Sequence, residues 1–336
     1  MEKTYELMPN AKMLLSSLRS VGYTEETAIA DIVDNSISSG ANTIQLYFDW
    51  DDQTILIADN GKGMQKKELL DSMKIGSSDP GVTRSASDLG RFGMGMKTAS
   101  FSLGKQLLVI SKQKDEINNA EWNLEYVENE DKWEILIHSD EKIDTYIKSK
   151  TDKIEFQNWD EGTLISLSML DKLIDENNMQ KSKVKFYKTV EKVKKHLAMI
   201  FHRFIEEDNL QIYVNKNLLE AWNPFIRQNP ATMELACEEL FDGKTIVSIE
   251  PYILPHKTKF EDEEAFKKAG GAKDWLAHQG FYVYRNRRLI VYGTWFGKFK
   301  KEPAYNLARI KLDMSSESDF EWGIDIKNQK QHYRYL

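Results

Sequence analysis

The segment DLGRFGMGMKTAS, from Asp88 to Ser100, places three glycines close together at Gly90, Gly93 and Gly95. Glycines lack a Cβ atom, so such a segment lets the backbone approach a bound group closely. The following residues, TASFSL, favour a helix, and the N–H groups at a helix N-terminus can bind an anionic phosphate. The segment therefore predicts a phosphate-binding loop, which restricts the chain to folds that can hold one.

The glycine spacing excludes two common loops of this kind. A Walker A loop needs its last glycine directly before lysine, whereas Met96 separates Gly95 from Lys97. The Rossmann fingerprint GxGxxG, directly after a first strand, is absent. The remaining pattern, GxxGxG before a helix, is by itself as typical of a flexible surface loop as of a phosphate site.

The composition narrows the class of protein. A chain of 336 residues is long enough for two or three domains, and its net charge of −7 means that nucleic acid could be bound only through a local basic patch. A single cysteine, Cys237, fits a reducing cytoplasm, and no apolar run is long enough to span a membrane. The histidine and cysteine spacing excludes a zinc finger.

Hydrophobic periodicity predicts an α+β chain. Residues 10–38 and 65–74 read as helices, and 43–50 and 53–58 as strands, the latter ending in an Asp59-Asn60-Gly61 turn. Further along, four strands are expected (105–112, 120–128, 132–139 and 162–170), then a long amphipathic helix over 181–206. The strand-like segments LQIYVNKNLL and GFYVYRNRRLIVYG follow in a second domain.

Two polar residues stand out on the first helical stretch. Asp31 and Asn35 are four residues apart, so both side chains lie on one helix face. An amide oxygen can ligate Mg²⁺, while a neighbouring carboxylate can orient or deprotonate an attacking water. A plain polar helix face is the alternative, although asparagine is a poor helix former in mid-helix.

A second group of residues could form a purine pocket. In DNGKGM, Asp59 ends a strand and can accept a hydrogen bond from the exocyclic amine of adenine, while Gly61 and Gly63 permit close approach of the base. Thr163, in GTLISL, would lie on a neighbouring strand and contact the same base. Taken alone, DNGKGM is equally typical of a hairpin turn.

The ordered motifs ADIVDNS, DNGKGM, GRFGMG and GT together resemble the GHKL ATPase superfamily, and look most like the MORC proteins and their bacterial relatives. The resemblance implies a two-layer Bergerat sandwich, with a mixed sheet and helices on one face, followed by a transducer-type βαβ domain like that of MutL and gyrase. It divides the chain into an ATP-binding domain at 1–175, a connecting helix at 176–207 and a transducer-like domain at 208–336. Within the first domain, residues 1–25 would be a dimerisation arm and 73–96 an ATP lid.

The same resemblance assigns roles at the site. Asp31 would be the catalytic base, Asn35 the ligand of Mg²⁺, and Asp59 the residue that selects adenine. The remaining expected nucleotide contacts are Gly61, Gly63, Met64, Gly90, Arg91, Phe92, Gly93, Met94, Gly95, Lys97, Thr98 and Thr163. A transducer lysine would reach the γ-phosphate, with Lys330 favoured over Lys327.

One position departs from the superfamily pattern, in which glutamate usually precedes the magnesium asparagine by four residues. Asp31 is one methylene shorter, so either its helix lies closer to the nucleotide or an intervening water carries the proton. Nucleotide binding is therefore a firmer expectation than turnover.

The resemblance implies a cytoplasmic, Mg-ATP-dependent clamp that forms a homodimer on ATP binding, hydrolyses ATP slowly and acts on duplex DNA, with further protein partners. Two rival functions are a chaperone-like clamp on protein clients and a nucleotide-gated binding module without hydrolysis. A candidate DNA surface is a basic cluster with interleaved aromatic residues: Arg285, Arg287 and Arg288, with Lys298, Lys300 and Lys301 nearby in sequence, and Tyr282, Tyr284 and Trp295. Charge runs of this kind are more often solvated faces.

Overall fold

The computed structural model describes residue 5 and residues 9–20, 22–76, 95–241 and 246–314. These residues form two compact units. The first contains the described residues up to 193 together with 211–219, and the second contains 194–210 and the described residues from 220 onward.

The first unit is built on a mixed sheet. Its strands are β1 Thr43–Asp49, β2 Thr54–Asp59, β3 Gln106–Gln113, β4 Glu116–Asn123, β5 Gly162–Ser168, β6 Gln211–Val214 and β7 Asn217–Leu218. They lie in the order β4-β3-β5-β2-β1-β6-β7, in which β1 and β6 are parallel and the other neighbours antiparallel. The predicted mixed sheet is thereby confirmed.

The first unit also contains helices, which precede, connect or follow its strands along the chain. They are α1 Ala11–Arg19, α2 Glu25–Ser38, α3 Lys66–Met73, α4 Gly95–Leu103, α5 Leu124–Glu130, α6 Asp140–Lys148 and α7 Met179–Ile200. The predicted helix over 10–38 is two helices, because the Thr24 side chain accepts from the Thr27 backbone N–H and so begins α2 afresh.

The two faces of the sheet have different partners. Leu56, Leu108 and Leu164 face α6 and pack with its Ile143 and Ile147. Their neighbours along the strands face the opposite way, because successive side chains of a strand alternate. The face opposite α6 is therefore the one that carries Asp59, which is hydrogen-bonded to α2. The sequence predicted helices on one face of the sheet, and the structure also has a helix, α6, on the other face.

The region after β4 differs from the prediction. The expected strand over 120–128 ends at Asn123, whose side chain accepts from the Tyr126 backbone N–H and caps α5. The expected strand over 132–139 forms only a single bridge, between Leu136 and Glu121. Both segments have strand-like alternation, but the Asn123 cap begins a helix within the first of them.

The second unit contains a separate sheet. Its strands are β8 Met233–Glu234, β9 Glu238–Phe241, β10 Ile246–Ile253, β11 Gly280–Arg285, β12 Arg288–Thr294 and β13 Ala308–Met314, and its short helices are α8 His202–Glu207, α9 Glu263–Ala269 and α10 Asp274–Ala277. The main path is β12-β11-β13-β10-β8, and β9 also pairs with β10. β11 and β13 are parallel, while β10 and β13 are antiparallel. The helices α9 and α10 lie in the chain between β10 and β11.

Three boundaries differ from those expected. The helix over 176–207 is divided into α7 and α8 at Phe201. The segment GFYVYRNRRLIVYG is a hairpin, turning at Asn286 and Arg287, which both have positive φ. Residues 211–219 belong to the first unit, because β6 pairs with β1 and β7 pairs with β6, whereas the sequence placed them in the second domain.

No helix in the described part of the chain is long and apolar enough to cross a membrane.

Candidate nucleotide-binding site

Helix α2 presents Asp31 and Asn35 side by side. The Asn35 side-chain amide donates to the Asp31 backbone carbonyl at 3.0 Å, and Asn35 is exposed. Because the amide nitrogen is engaged within the helix, the amide oxygen is the atom that Asn35 offers to a cation. The Tyr23 hydroxyl donates to Oδ2 of Asp31 at 2.8 Å. This pairing of an amide oxygen with a carboxylate is a donor set that suits Mg²⁺ and water.

Asp59 lies at the end of β2 and is 4% exposed. Its Oδ2 accepts from the Ser36 hydroxyl at 2.8 Å, and its Oδ1 accepts from the Gly61 backbone N–H at 2.9 Å. Burial raises the pKa of the Asp59 carboxyl above its ordinary value. The Thr163 backbone N–H also donates to this carboxylate. A carboxylate has about four acceptor sites, so these three bonds leave capacity for an amine of a ligand.

The loop after Asp59 leaves no room for a side chain at Gly61 or Gly63. A Cβ atom at Gly61 would lie 1.9 Å from the Ser39 hydroxyl oxygen, and one at Gly63 would lie 2.0 Å from the Lys112 carbonyl oxygen. Gly63 also has φ +63°, a conformation that favours glycine. The backbone N–H of Met64 donates to the Ser111 hydroxyl at 2.9 Å. The loop is therefore held against β3.

Thr163 joins this group through the sheet register. It pairs with Asp59 on β2 and with Ser111 on β3, so the three side chains form one row across β2, β5 and β3. The Thr163 and Ser111 hydroxyl oxygens are 3.0 Å apart. Together with Gly61, Gly63 and Met64, this row forms a compact polar cluster whose donors and acceptors match those of a purine edge.

Helix α4 begins where the glycine-rich segment ends. Lys97 is 2% exposed, and its ammonium donates to the Ser72 carbonyl, in the last turn of α3, at 2.6 Å. Burial lowers the pKa of Lys97 to about 8. Thr98 is buried, and its hydroxyl donates to the Gly95 carbonyl at 3.3 Å. The sequence placed Lys97 beside the phosphates, whereas its ammonium lies against α3; a phosphate contact stays a prediction.

Several expected site residues lie outside the described residues. They are Gly90, Arg91, Phe92, Gly93 and Met94 of the phosphate loop and the two candidate transducer lysines, Lys327 and Lys330. The same holds for residues 77–94 of the expected lid and for much of the start of the expected arm.

Sequence reasoning missed three residues of this site. Ser36 directly follows Asn35 on α2, and this position next to a site residue could have suggested that its hydroxyl also contacts the site. Ser111 is a polar residue within the apolar strand LLVIS, which is a recognisable signal. Tyr23 gives no signal in the sequence, because its bond to Asp31 depends on how the chain enters α2.

Part of the basic cluster is engaged within the second unit, and its use as a DNA surface stays a prediction. The Arg287 guanidinium pairs with Glu207 at 2.7 Å and with Asp208 at 2.8 Å, so its charge is balanced within the second unit. Tyr282 and Tyr284 are fully buried, which prevents them from stacking on bases.

Comparisons with known proteins agree with this geometry. Residues 23–160 match the family described as histidine kinase-, DNA gyrase B- and HSP90-like ATPase, and this range includes every described residue of the site except Thr163.

Three curated relatives are similar over shorter stretches. ATPase morc-1 of Caenorhabditis elegans is 32% identical over 114 residues, which is 32% of this chain and 13% of that protein. MORC family CW-type zinc finger protein 3 of Mus musculus is 30% identical over 93 residues, 26% of this chain and 10% of that protein. ATPase MORC2B of Mus musculus is 26% identical over 93 residues, 26% of this chain and 9% of that protein.

The matched stretches thus span only about a tenth of the length of these relatives. At the level of the domain they agree with the family match and with the polar cluster described above. The similarities thus support a GHKL-type, MORC-like assignment: residues 23–160 are similar to the histidine kinase-, DNA gyrase B- and HSP90-like ATPases, and shorter stretches of the chain are similar to MORC ATPases.

Proposed function

We propose that the chain binds Mg-ATP and hydrolyses it slowly, as a clamp that dimerises when ATP binds. The observation that carries this proposal is that helix α2 contributes residues to two parts of the site. Its Asp31 and Asn35 share one face, and the next residue, Ser36, donates to the buried carboxyl of Asp59. One helix thus links the groups suited to hydrolysis with the group suited to base recognition.

Asp59 accepts the exocyclic amine of adenine, and Thr163, Gly61, Gly63 and Met64 form the wall around the base. The raised pKa of Asp59 favours a strong, directional acceptor once it is ionised and shielded from water. GTP carries a carbonyl where ATP carries this amine, so Asp59 would repel it.

Asn35 ligates Mg²⁺ through its side-chain oxygen, and Asp31 orients and deprotonates the attacking water. A bound Mg²⁺ supplies charge neutralisation of the phosphate oxygens. The phosphate loop with Lys97 and Thr98, and a lysine from the second domain, Lys330 or Lys327, complete the proposed set of contacts.

The proposal also includes dimerisation and action on DNA, and these two elements rest on the family resemblance. Residues 1–25 would be exchanged between partners. In the described conformation α1 lies on its own chain, where Arg19 donates to the Phe101 carbonyl at 3.0 Å and pairs with Asp171. Exchange would have to break these contacts.

The rival functions predict different behaviour. A chaperone-like clamp predicts turnover that DNA does not change. A nucleotide-gated module predicts ATP binding with no phosphate release, and the short side chain of Asp31 favours this rival.

The test is steady-state phosphate release from Mg-ATP, with and without duplex DNA, together with calorimetric titration of ATP. We expect Asp31→Asn to retain ATP binding and lose turnover by about a hundredfold or more. Asp59→Asn should weaken ATP binding by about tenfold to a hundredfold, because a lost hydrogen bond to a charged group costs roughly 1.5–3 kcal/mol.

Asp152→Asn, an exposed carboxyl in the same unit, is the matched control and should change neither quantity. Wild-type release no faster than that of Asp31→Asn would rule out hydrolysis. Turnover that DNA leaves unchanged would favour the protein-client clamp.

A further inference from the structure

Asp31 is held by a residue that comes before its helix. Tyr23 immediately precedes Thr24, the N-cap of α2, and its hydroxyl donates to Oδ2 of Asp31 at 2.8 Å. Both side chains are partly buried. A hydroxyl that donates to a carboxylate forms a charge-assisted hydrogen bond, which is shorter and stronger than a neutral one.

The position of Tyr23 is itself constrained. The Thr24 side chain accepts from the Thr27 backbone N–H, and the Thr27 hydroxyl accepts from the Thr24 backbone N–H at 3.1 Å. This reciprocal cap fixes the direction in which the chain enters α2. The Tyr23 ring is therefore attached to a backbone that is rigid relative to the helix that carries Asp31.

A base with a short side chain depends strongly on its orientation. The aspartate carboxylate rotates about two torsions, and a hydrogen bond to Oδ2 restricts both, which also limits the directions in which Oδ1 can point. Misplacing a reacting group by about 1 Å can cost roughly a hundredfold in rate. A donor on one oxygen thus determines where the other oxygen can accept a proton.

We infer that Tyr23 is the positioning residue of Asp31: its hydroxyl holds one carboxylate oxygen so that the carboxylate faces the attacking water. This inference rests on the proposed function of Asp31 as base. Tyr23 keeps its own proton throughout and does not touch the nucleotide in this role. It also lies in residues 1–25, so a change in that segment would reach the base through a single hydrogen bond.

The experiment uses Tyr23→Phe in the full chain, which removes the hydroxyl and keeps the ring. We expect kcat for phosphate release to fall about tenfold to a hundredfold, within the range that general-base catalysis contributes. KM and the calorimetric affinity for ATP should stay at wild-type values, and the thermal unfolding midpoint should fall by only a few degrees, as expected for the loss of one hydrogen bond to a charged group. A merely structural role would instead lower the midpoint without lowering kcat, or would weaken ATP binding.

Two further variants sharpen the result. Tyr126→Phe is the matched control, because the Tyr126 hydroxyl also donates to a carboxylate, that of Glu134, at 3.1 Å, and its loss should leave kcat unchanged. In the double variant Tyr23→Phe/Asp31→Asn, the tyrosine change should cause no loss beyond that of Asp31→Asn, since both remove the same function.

Wild-type turnover that Tyr23→Phe leaves unchanged would overturn the inference alone. So would an equal loss in the Asp31→Asn background, because Tyr23 would then act independently of Asp31. Wild-type turnover no greater than that of Asp31→Asn would overturn the proposed function, and the inference with it.

Discussion

Gly63 shows how closely the backbone of the candidate site is packed. Its φ of +63° and the Lys112 carbonyl, 2.0 Å from any added Cβ, are two separate reasons for glycine at this position. The first concerns the conformation of one residue, while the second concerns the distance between the loop and β3.

Gly63→Ala should therefore be destabilising for both reasons, by roughly 2–6 kcal/mol, since a strained backbone conformation and forced overpacking each cost about 1–3 kcal/mol. It should also weaken ATP binding, because the Gly61–Met64 loop must move away from β3. The measurements are urea unfolding and calorimetric titration of ATP.

Gly40→Ala is the control that separates the two reasons. Gly40 has φ +81°, but an added Cβ would meet nothing within 4 Å. It should cost only about 1 kcal/mol and leave ATP binding intact. Equal losses for the two variants would mean that the close contact with Lys112 contributes nothing.

The sequence revealed those residues of the site whose chemistry is local. Asp31 and Asn35 share a helix face because of their spacing, and Asp59 begins a recognisable turn. The hydroxyl of Ser111 and that of Tyr23 were not predicted as site residues, because their partners depend on strand register and on the path between two helices. The family match over 23–160 supports the local motifs but does not test individual roles.

Helices α3 and α4 are tied together across the expected lid. Ser72 lies just before residues 73–96 and Lys97 just after them, and the 2.6 Å hydrogen bond between them brings the two ends of the segment together. A second contact, from the Trp122 indole N–H to the Met73 carbonyl at 2.9 Å, anchors the start of the segment on β4. The expected lid segment therefore begins and ends at neighbouring positions of the first unit.

This link should make stability depend on pH. Because burial lowers the pKa of Lys97 from its ordinary 10.5 to about 8, the native state loses this proton before the unfolded state does. Between these pH values the unfolded state binds more protons, so the free energy of unfolding rises with pH. Lys97→Met removes that titration, and the free energy of unfolding of wild type relative to Lys97→Met should rise from about pH 8 to about pH 10.5.

Urea unfolding at several pH values across this range checks the prediction. Lys67→Met, which removes an exposed lysine of α3, is the control and should follow wild type. If wild type and Lys97→Met show parallel pH profiles, the Lys97 amine is not desolvated in solution as the structure indicates.

Element boundaries were predictable where the pattern and the local caps agreed, as in β1, β2, β5 and α3. Boundaries could not be predicted where a helix cap or a turn overrode the hydrophobic pattern. Asn123 caps α5 within a stretch in which apolar and polar residues alternate. Asn286 and Arg287, which have positive φ, turn one long strand-like segment into a hairpin.

The first unit is completed by a distant part of the chain. β6 pairs in parallel with β1, and the Asn215 side chain bonds the backbone N–H and carbonyl of Phe48, 167 residues earlier. No periodicity in the sequence indicates which strands will be neighbours, so this pairing could not be predicted. It also means that the matched residues 23–160 are not a complete folding unit.

Two fragments test this point. Residues 1–219 include β6 and β7, whereas residues 1–207 end before them, and both retain α7 and α8. We expect the longer fragment to be monomeric, with a cooperative thermal transition, and the shorter one to aggregate, because the edge of β1 is then unpaired. Size-exclusion chromatography and thermal unfolding distinguish them; equal behaviour would show that β6 is dispensable.

The late pairing of β1 has a consequence during translation. At about 5–20 residues per second, a ribosome needs roughly 10–30 s to synthesise the chain between Phe48 and Asn215. Throughout that interval the nascent sheet has an open edge at β1, and neighbouring nascent chains on the same messenger would present the same edge. Synthesis rate and ribosome spacing should therefore affect the yield of folded protein.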